Sequence, residues 1–449
     1  MDLSIRQGIF TSLASVPGAE SCLLMFDDGR PVLHLDMGHD EWMTLLMRRS
    51  IEGRTREGSD FTAVLDGSFF TNGRITVALD DLLVSNPYER PDETFDSRHV
   101  RTLELALDPQ AVGEFFVRDE HDLDHLRTEE LIGRRIDDLV DLYDPVSMRC
   151  HGRSTTLTLS AAYSVAASAI DGFSGRNRMR LRLRWESEST IDLDTARREV
   201  TAMLCLIDAV GRPRGNPLRE LRVESSAPEG SRPAAMDWWS KSLLGARGSS
   251  AVTGADPLRS GGTNGASPVL AGLGELGGLS ALVKWVALCD RVPHLLSVLD
   301  AHHHGFAIDA RASILSLAVG WEHLAEASRG EAKEEAWKEI RDLLAPTEGG
   351  DGSFEKMIEL CWYTYLEIKH VRLRKMTNNS IPAKDGRALG IASEFMYCTV
   401  LAAAFALAGI PIPGSLQGRL SAFPENGWTP EWHWVVAENP PQSSSSSSS

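Results

Sequence analysis

The sequence has few cysteines, and none of them are paired at a metal-binding spacing. The chain contains 6 cysteines, all far apart, so the Cys-x-x-Cys pattern of zinc ribbons and thioredoxin-type proteins is missing. Most of them lie among apolar residues, where a free thiol behaves as a small buried hydrophobe. We therefore expect reduced, buried thiols in a cytoplasmic protein, and no metal site.

Familiar enzyme motifs are also missing. The sequence has no Gly-x-x-x-x-Gly-Lys-Ser/Thr loop, no Gly-x-Ser-x-Gly, no His-Glu-x-x-His and no calcium loop. Two histidine groups remain. His121 and His125 lie in an acidic segment, and the triplet at 302–304 lies on a predicted loop where adjacent imidazoles do not converge on one ion. We expect no cofactor.

Positive charge is scarce across the chain as a whole. There are 46 Lys+Arg against 63 Asp+Glu, a formal net charge of −17. Such a chain does not coat nucleic acid along its length, because that binding needs a basic surface to neutralise phosphates. A small local basic site is still compatible with this balance. The 449 residues, 42% of them hydrophobic, are enough for two or three domains with sizeable cores.

Long hydrophobic runs are nearly absent. The longest uncharged run is 395–418, and Pro411 and Pro413 interrupt it after a stretch rich in Ala and Gly. We expect a buried core helix there rather than a membrane span. The first 15 residues lack the apolar core of a signal peptide. We therefore expect no membrane partner.

The first part of the chain has the period-two pattern of strands. Asp27-Asp28-Gly29-Arg30 and Thr71-Asn72-Gly73 are turn sequences between alternating runs, which predicts two β-hairpins. Asp194 is a candidate cap for a helix that ends before Gly211 and Pro213. Residues 1–225 are therefore predicted to form a β-rich domain.

The rest of the chain divides by composition. Residues 226–279 are rich in Gly, Ser and Pro and are predicted to be a flexible linker, with Trp238 and Trp239 docked on a neighbouring surface. Residues 280–413 have helical periodicity. Residues 414–449 form a Trp-containing tail that ends in a disordered serine run. The predicted fold class is α+β, a β-rich domain followed by an all-α bundle.

One predicted strand carries a row of arginines. Arg178, Arg180, Arg182 and Arg184 alternate with apolar residues, so they share one face of a half-buried strand. This face either pairs with the acids of 119–144 or forms a sensing surface for an anionic partner, such as nucleic acid or an acidic phage protein.

Two features of the helical part point to a charged site. Glu322 lies on the apolar stripe of a helix, so it either reaches water at the helix edge or holds an arginine from a facing helix. The segment 369–379 has four permanent positive charges and no acid. These cations either stabilise a helix C-terminus or bind a phosphate. The candidate phosphate- or RNA-binding residues are Lys369, His370, Arg372, Lys375 and Asn378.

The helix around Glu322, the basic helix end at 372–379 and the closing helix 395–410 together resemble an ApeA-type HEPN domain. HEPN domains are helical bundles of bacterial anti-phage (abortive infection) systems. Residues 131–223 are similar to the β-rich domain that precedes HEPN in such proteins. The resemblance implies a metal-independent endoribonuclease that acts on RNA such as tRNA, responds to a phage-derived trigger and dimerises through its helical domain.

The family motif is Arg, four to six residues, then His, and this sequence departs from it. Arg374 with four intervening residues reaches Asn379, and Arg372 with five reaches Asn378. Asn cannot move a proton near neutral pH as His does. With Glu322, Arg374 and Asn379 are the candidate catalytic residues. The alternatives are therefore an active effector, a non-catalytic relative that dimerises, binds RNA or regulates a partner, and a scaffold without a nucleic-acid role.

Overall fold

The computed structural model divides the chain into two compact units, each described separately. The sheet unit comprises residues 1–113, 119–204 and 213–251, and the helical unit comprises 114–118, 205–212 and 252–449. The residues that the structure describes are 11–15, 21–27, 30–36, 50–55, 58–71, 75–85, 95–116, 140–166, 176–211, 216–228, 230–245, 270–303, 309–329, 336–344, 353–370, 380–381 and 386–425.

Antiparallel strands account for most of the described residues of the sheet unit. In chain order they are β1 Thr11–Ser15, β2 Ser21–Asp27, β3 Arg30–Asp36, β4 Ser50–Thr55, β5 Asp60–Thr71, β6 Ile75–Ser85, β7 Val100–Leu107, β8 Val140–Asp141, β9 Val146–Cys150, β10 Arg153–Ala166, β11 Arg176–Ile191, β12 Leu218–Ser225 and β13 Ala235–Ser240. The mixed architecture, a sheet in the N-terminal half and helices in the C-terminal half, confirms the α+β class.

The first six strands pair in a closed ring. The hydrogen-bonded order is β3-β2-β1-β4-β5-β6, and β3 pairs in turn with β6. Both predicted hairpins belong to this ring, with Asp27 opposite Arg30 in one and Thr71 opposite Ile75 in the other. Ring closure leaves these strands without a free edge, because each one has a neighbour on both sides.

The sheet continues from β6 through β13, β12, β7, β11 and β10. This path corrects the predicted linker, because 235–240 form a strand in which Trp238 and Trp239 are buried. The indole N–H of Trp238 donates to Oδ1 of Asp81 over 3.1 Å. Residues 246–269 of the predicted linker lie outside the described residues.

Two helices follow strands of this sheet, α1 Pro109–Phe116 and α2 Leu193–Leu206. The cap of α2 is Asp192 rather than the predicted Asp194. The backbone N–H of Thr195 donates to Oδ1 of Asp192 over 2.7 Å. Asp194 lies inside the first turn and pairs with Arg197 instead, because only the residue before the first helical position can reach the free N–H groups.

The predicted domain boundary at residue 225 also differs from the structure. A π-helical segment, Ile207–Gly211, extends α2 and belongs to the helical unit with residues 114–118. Within that unit, Leu270 N donates to the Val210 carbonyl over 2.8 Å, and Tyr397 Oη donates to the Ala209 carbonyl over 3.2 Å. These hydrogen bonds satisfy carbonyls at the C-terminal end of the helical segment, where no later turn supplies a donor.

The helical unit is built from α3 Leu279–Arg291, α4 His294–His303, α5 Ala310–Arg329, α6 Ala336–Leu344, α7 Ser353–Lys369, α8 Gly386–Ala408 and α9 Gly414–Glu425. Helix α4 includes His302 and His303, which the sequence had predicted to lie on a loop. Part of the predicted tail is also helical, because α9 begins at Gly414, and its Leu416 and Leu420 are buried. Trp428, Trp432 and Trp434 lie outside the described residues.

Helix α8 is the core helix predicted from the apolar run. Residues 388–408 are long and apolar enough to cross a membrane, yet 78% of the most apolar window is buried within the protein. Phe395 and Phe405 of this helix are fully buried. A core helix of a globular bundle satisfies the same length and hydropathy criteria as a membrane span, and the burial here fits the core role.

Candidate functional site

The candidate site is a cluster of three polar side chains between α5 and α7. Oε1 of Glu322 accepts a hydrogen bond of 2.6 Å from Oη of Tyr365. The ammonium of Lys369 lies 3.3 Å from the same Oε1 and also donates to the oxygen of Tyr365. The tyrosine, one turn before the lysine on α7, therefore connects the carboxylate and the ammonium.

Buried contacts on α5 set the direction of Glu322. The neighbouring Trp321 is fully buried, and its indole N–H donates to Oγ1 of Thr399 on α8 over 3.1 Å. Nearer the start of α5, the hydroxyl of Ser313 lies 2.6 Å from the hydroxyl of Ser393 on α8. With α5 held at both points, Glu322 turns toward α7 while 36% of its side chain stays exposed.

The two partners of Glu322 have shifted pKa values. Burial, together with the hydrogen bond to Glu322, raises the pKa of Tyr365 above its ordinary value. The hydrogen bond to the tyrosine oxygen, with the charge of Glu322, raises the pKa of Lys369. At neutral pH the phenol is therefore protonated and the amine is charged, so neither group can act as a general base.

Sequence reasoning anticipated only part of this cluster. Glu322 was expected either to reach water or to hold an arginine, and the structure gives it partial exposure and a lysine partner. Tyr365 was missed. The available signal was its spacing of four residues from Lys369, which puts both side chains on one face of a helix.

The described residues on both sides of the basic segment are attached to α7. The helix ends at Lys369, and the backbone N–H of His370 still donates to the carbonyl of Leu366 over 2.9 Å. After the segment, the N–H of Ile381 donates to Oγ1 of Thr364 over 3.0 Å. Ser380 donates to Glu367. His370, Ser380 and Ile381, which lie on either side of 371–379, are thus all hydrogen-bonded to the last turns of α7.

Five of the predicted site residues fall outside the described part of the chain: Arg372, Arg374, Lys375, Asn378 and Asn379. Their predicted roles stay predictions. Of the predicted phosphate- or RNA-binding residues, Lys369 and His370 are described, and both are exposed at the end of α7. His323, next to Glu322 on α5, stacks on His294 with ring centroids 4.4 Å apart.

The arginine strand is β11, as its alternation predicted. Arg178 and Arg180 lie opposite Ser164 and Ala162 of β10, and their side chains lie outside the described residues. Arg182 and Arg184 contact acids of β7 and β12, with Glu104 3.4 Å from Arg182 and Glu224 3.3 Å from Arg184. Of the predicted acidic partners in 119–144, residues 119–139 are not described.

A polar cavity of about 330 Å³ opens on this face of the sheet. Its charged lining consists of Glu104, Glu220, Glu224, Asp237, Arg182 and Arg222. Four carboxylates against two guanidiniums give the lining a formal charge of −2. This part of the arginine face is therefore not a cationic surface, since carboxylates of β7, β12 and β13 outnumber the arginines there.

Comparison with protein-family models, curated proteins and solved structures finds no match for this chain.

Proposed function

We propose that this protein is an RNA-acting effector of the anti-phage, abortive infection type. In this role the helical unit engages RNA at the C-terminal end of α7, and the sheet unit responds to a phage-derived trigger. The observation that carries the proposal is the Glu322–Tyr365–Lys369 cluster, which lies at the helix end that leads into the basic segment.

The charges of this region support RNA binding. The segment 369–379 holds four permanent cations and no acid, and Glu322 offsets only the first of them, Lys369, among the contacts described. Lysine and arginine side chains bind phosphates as point charges and as bidentate donors, respectively. Because helix C-termini carry partial negative charge, cations at this end also stabilise α7.

A second candidate is a non-catalytic RNA-binding or regulatory relative. The composition of the cluster favours it, because the phenol of Tyr365 and the amine of Lys369 ordinarily keep their protons at neutral pH, and their surroundings raise both pKa values further. Metal-free RNA cleavage needs a group that takes the proton of the 2′-hydroxyl. With Asn378 and Asn379 at the motif positions of histidine, the base would have to come from elsewhere, such as His370.

The test incubates the full-length protein with total tRNA and measures both binding and cleavage. The variants are Arg374→Ala, which removes a motif cation, and Asn379→His, which restores the family histidine. The matched control is Lys356→Ala, an exposed lysine at the opposite end of α7. We expect Arg374→Ala to weaken binding and to reduce the slope of log affinity against log salt by about 1, whereas Lys356→Ala leaves both unchanged.

The outcomes separate the alternatives. Cleavage by the parent that Arg374→Ala abolishes identifies an active ribonuclease. An inert parent that binds tRNA, combined with an active Asn379→His variant, identifies a degenerate site. If neither the parent nor the variants bind or cut RNA, the nucleic-acid role is wrong and a scaffold role is favoured.

The same proposal includes a homodimer through the helical unit. A symmetric dimer would bring two copies of the α7 end together, which is how a small motif in each copy can form one composite site. Light scattering of the full chain with and without tRNA measures the assembly state directly. A monomer under both conditions would remove the dimer from the proposal without affecting RNA binding by a single copy.

A further inference from the structure

Three potential metal-ligating side chains converge in the sheet unit. They are Cys150 at the end of β9, His151 in the turn that follows, and Glu199 on α2. One ligand atom from each lies within 4.8 Å of the other two. Cys150 and Glu199 are buried, with 0% and 2% of their surface exposed.

The conformation of His151 directs its ring toward this cluster. His151 and Gly152 have positive φ angles of 53° and 76°, and Cys150 pairs with Arg153 across the turn. Two positive φ angles identify a two-residue type I′ hairpin, in which Asn-Gly is the favoured pair. A histidine tolerates this region at some cost, and here the turn leaves its Nε2 3.8 Å from Oε1 of Glu199.

The ligand set fits one kind of ion. A thiolate, an imidazole and a carboxylate are all zinc ligands, at bond lengths of about 2.0–2.3 Å. The Nε2 of His151 and Oε1 of Glu199 are 3.8 Å apart and all three ligand atoms lie within 4.8 Å of one another, so they must move closer together to bind one tetrahedral ion. Three protein ligands also leave a fourth position for water, which is the arrangement of open rather than closed zinc sites.

The positive charge of Arg153 is the feature that would disfavour a bound cation at this site. Its Nη2 lies 2.5 Å from Oε1 of Glu199. A ligating carboxylate commonly binds the metal while it accepts a hydrogen bond from an outer partner. The guanidinium is thus compatible with a metal bound by the same carboxylate, and it fixes the orientation of Glu199 before the ion arrives.

The geometry points to a divalent transition-metal site, best suited to Zn²⁺, formed by Cys150, His151 and Glu199. On binding, the Cys150 thiol loses its proton to solvent and its sulfur forms the bond to the ion. The ion links the β9–β10 hairpin to α2, two elements whose nearest ligands are 48 residues apart in sequence. This site is independent of the RNA-acting role proposed for the helical unit.

The test uses the full-length protein, stripped with EDTA, desalted and titrated with Co²⁺ as a spectroscopic substitute for zinc. We expect one Co²⁺ per chain, with the near-ultraviolet charge-transfer absorption of a cobalt–thiolate bond, and displacement of the cobalt by Zn²⁺. Cys150→Ser should remove this absorption. His151→Asn should weaken binding by more than about 100-fold, because even the loss of an outer partner costs about 10–100-fold.

Controls keep the result interpretable. His151→Asn introduces the residue that the type I′ turn favours, so the hairpin is retained, and circular dichroism checks its folding. The double variant His302→Ala/His303→Ala removes imidazoles of α4 and should leave the thiolate absorption unchanged. The site is refuted if saturating Co²⁺ gives no thiolate absorption, or if the absorption persists at full affinity in both Cys150→Ser and His151→Asn.

Discussion

The hydroxyl of Tyr365 donates a 2.6 Å hydrogen bond to the carboxylate of Glu322 and accepts one from the ammonium of Lys369. A neutral phenol between a carboxylate and an ammonium holds both groups in place, because its hydroxyl donates one hydrogen bond and accepts another. The tyrosine is 1% exposed, whereas the two charged side chains reach solvent. Stability at this site should therefore depend on the buried hydroxyl more than on the exposed ion pair.

Replacing this hydroxyl tests the relationship. Tyr365→Phe should lower the free energy of unfolding by about 1.5–3 kcal/mol, the range for a hydrogen bond to a charged acceptor. Urea titration measures it. Glu322→Gln and the double variant complete a cycle in which the two single changes should not add. Strict additivity would mean that the pair contributes nothing to stability.

The same tyrosine should affect stability at high pH. Burial raises its pKa above the ordinary value of 10.0, so the folded protein holds this proton more tightly than the unfolded chain. The resulting stabilisation is complete below pH 10 and is lost as the pH rises through the folded pKa. Lys369, with a pKa raised above 10.5, acts in the same direction.

The measurement is urea stability between pH 8 and pH 11.5 for the parent and for Tyr365→Phe. The parent should lose stability more steeply above about pH 10, because only the parent has this titrating group. The difference between the two curves removes the contribution of the other tyrosines. Parallel curves would show that the pKa of Tyr365 does not change on folding.

Local patterns in the sequence predicted the elements but not their partners. Alternation around Arg182 and Arg184 predicted a strand, because a half-buried strand exposes every second side chain. The same alternation holds whichever acids lie on the neighbouring strands, so it could not identify Glu104 and Glu224 as the contacts. Pairing between distant strands depends on topology, which a one-strand pattern does not contain.

Two further differences have local causes. Asp192 and Asp194 are both acids near the start of α2, and only the backbone geometry decides which one caps it. The strand at Trp238 and Trp239 is short and lies beside a segment rich in Gly, Ser and Pro, so the composition of the region predicted a linker instead of a strand. The convergence of Cys150 with Glu199 could not be predicted for a different reason, because it depends on how a hairpin and a helix come together in the fold.

The buried indole of Trp238 gives a third prediction. Its N–H donates to Asp81. The pKa of Asp81 is raised, because burial raises it by more than the charge of the adjacent Arg197 lowers it. Trp238→Phe removes one of the hydrogen-bond donors to the buried carboxylate of Asp81. The loss of unfolding free energy should exceed that of the control Trp239→Phe by about 1.5–3 kcal/mol. Equal losses of unfolding free energy for the two variants in urea titrations would mean that Trp238 contributes through packing alone and not through its hydrogen bond.

The buried thiols give the last prediction. Cys150, Cys205, Cys289, Cys361 and Cys398 are all buried. Burial raises the pKa of Cys361, and it raises that of Cys289 well above the ordinary value. Since the thiolate is the reactive form, iodoacetamide at pH 8 should leave these five cysteines unmodified in the native protein.

Mass spectrometry after tryptic digestion measures the modification at each site. In denaturant, where burial is lost, the same reagent should alkylate all five cysteines at similar rates. Native and denatured rates that agree at Cys361 would contradict its burial in the α7–α8 core, where its sulfur lies 4.0 Å from the carbonyl of Ala392. Protection at Cys361 with reaction at Cys150 would instead locate local opening at the β9–β10 hairpin.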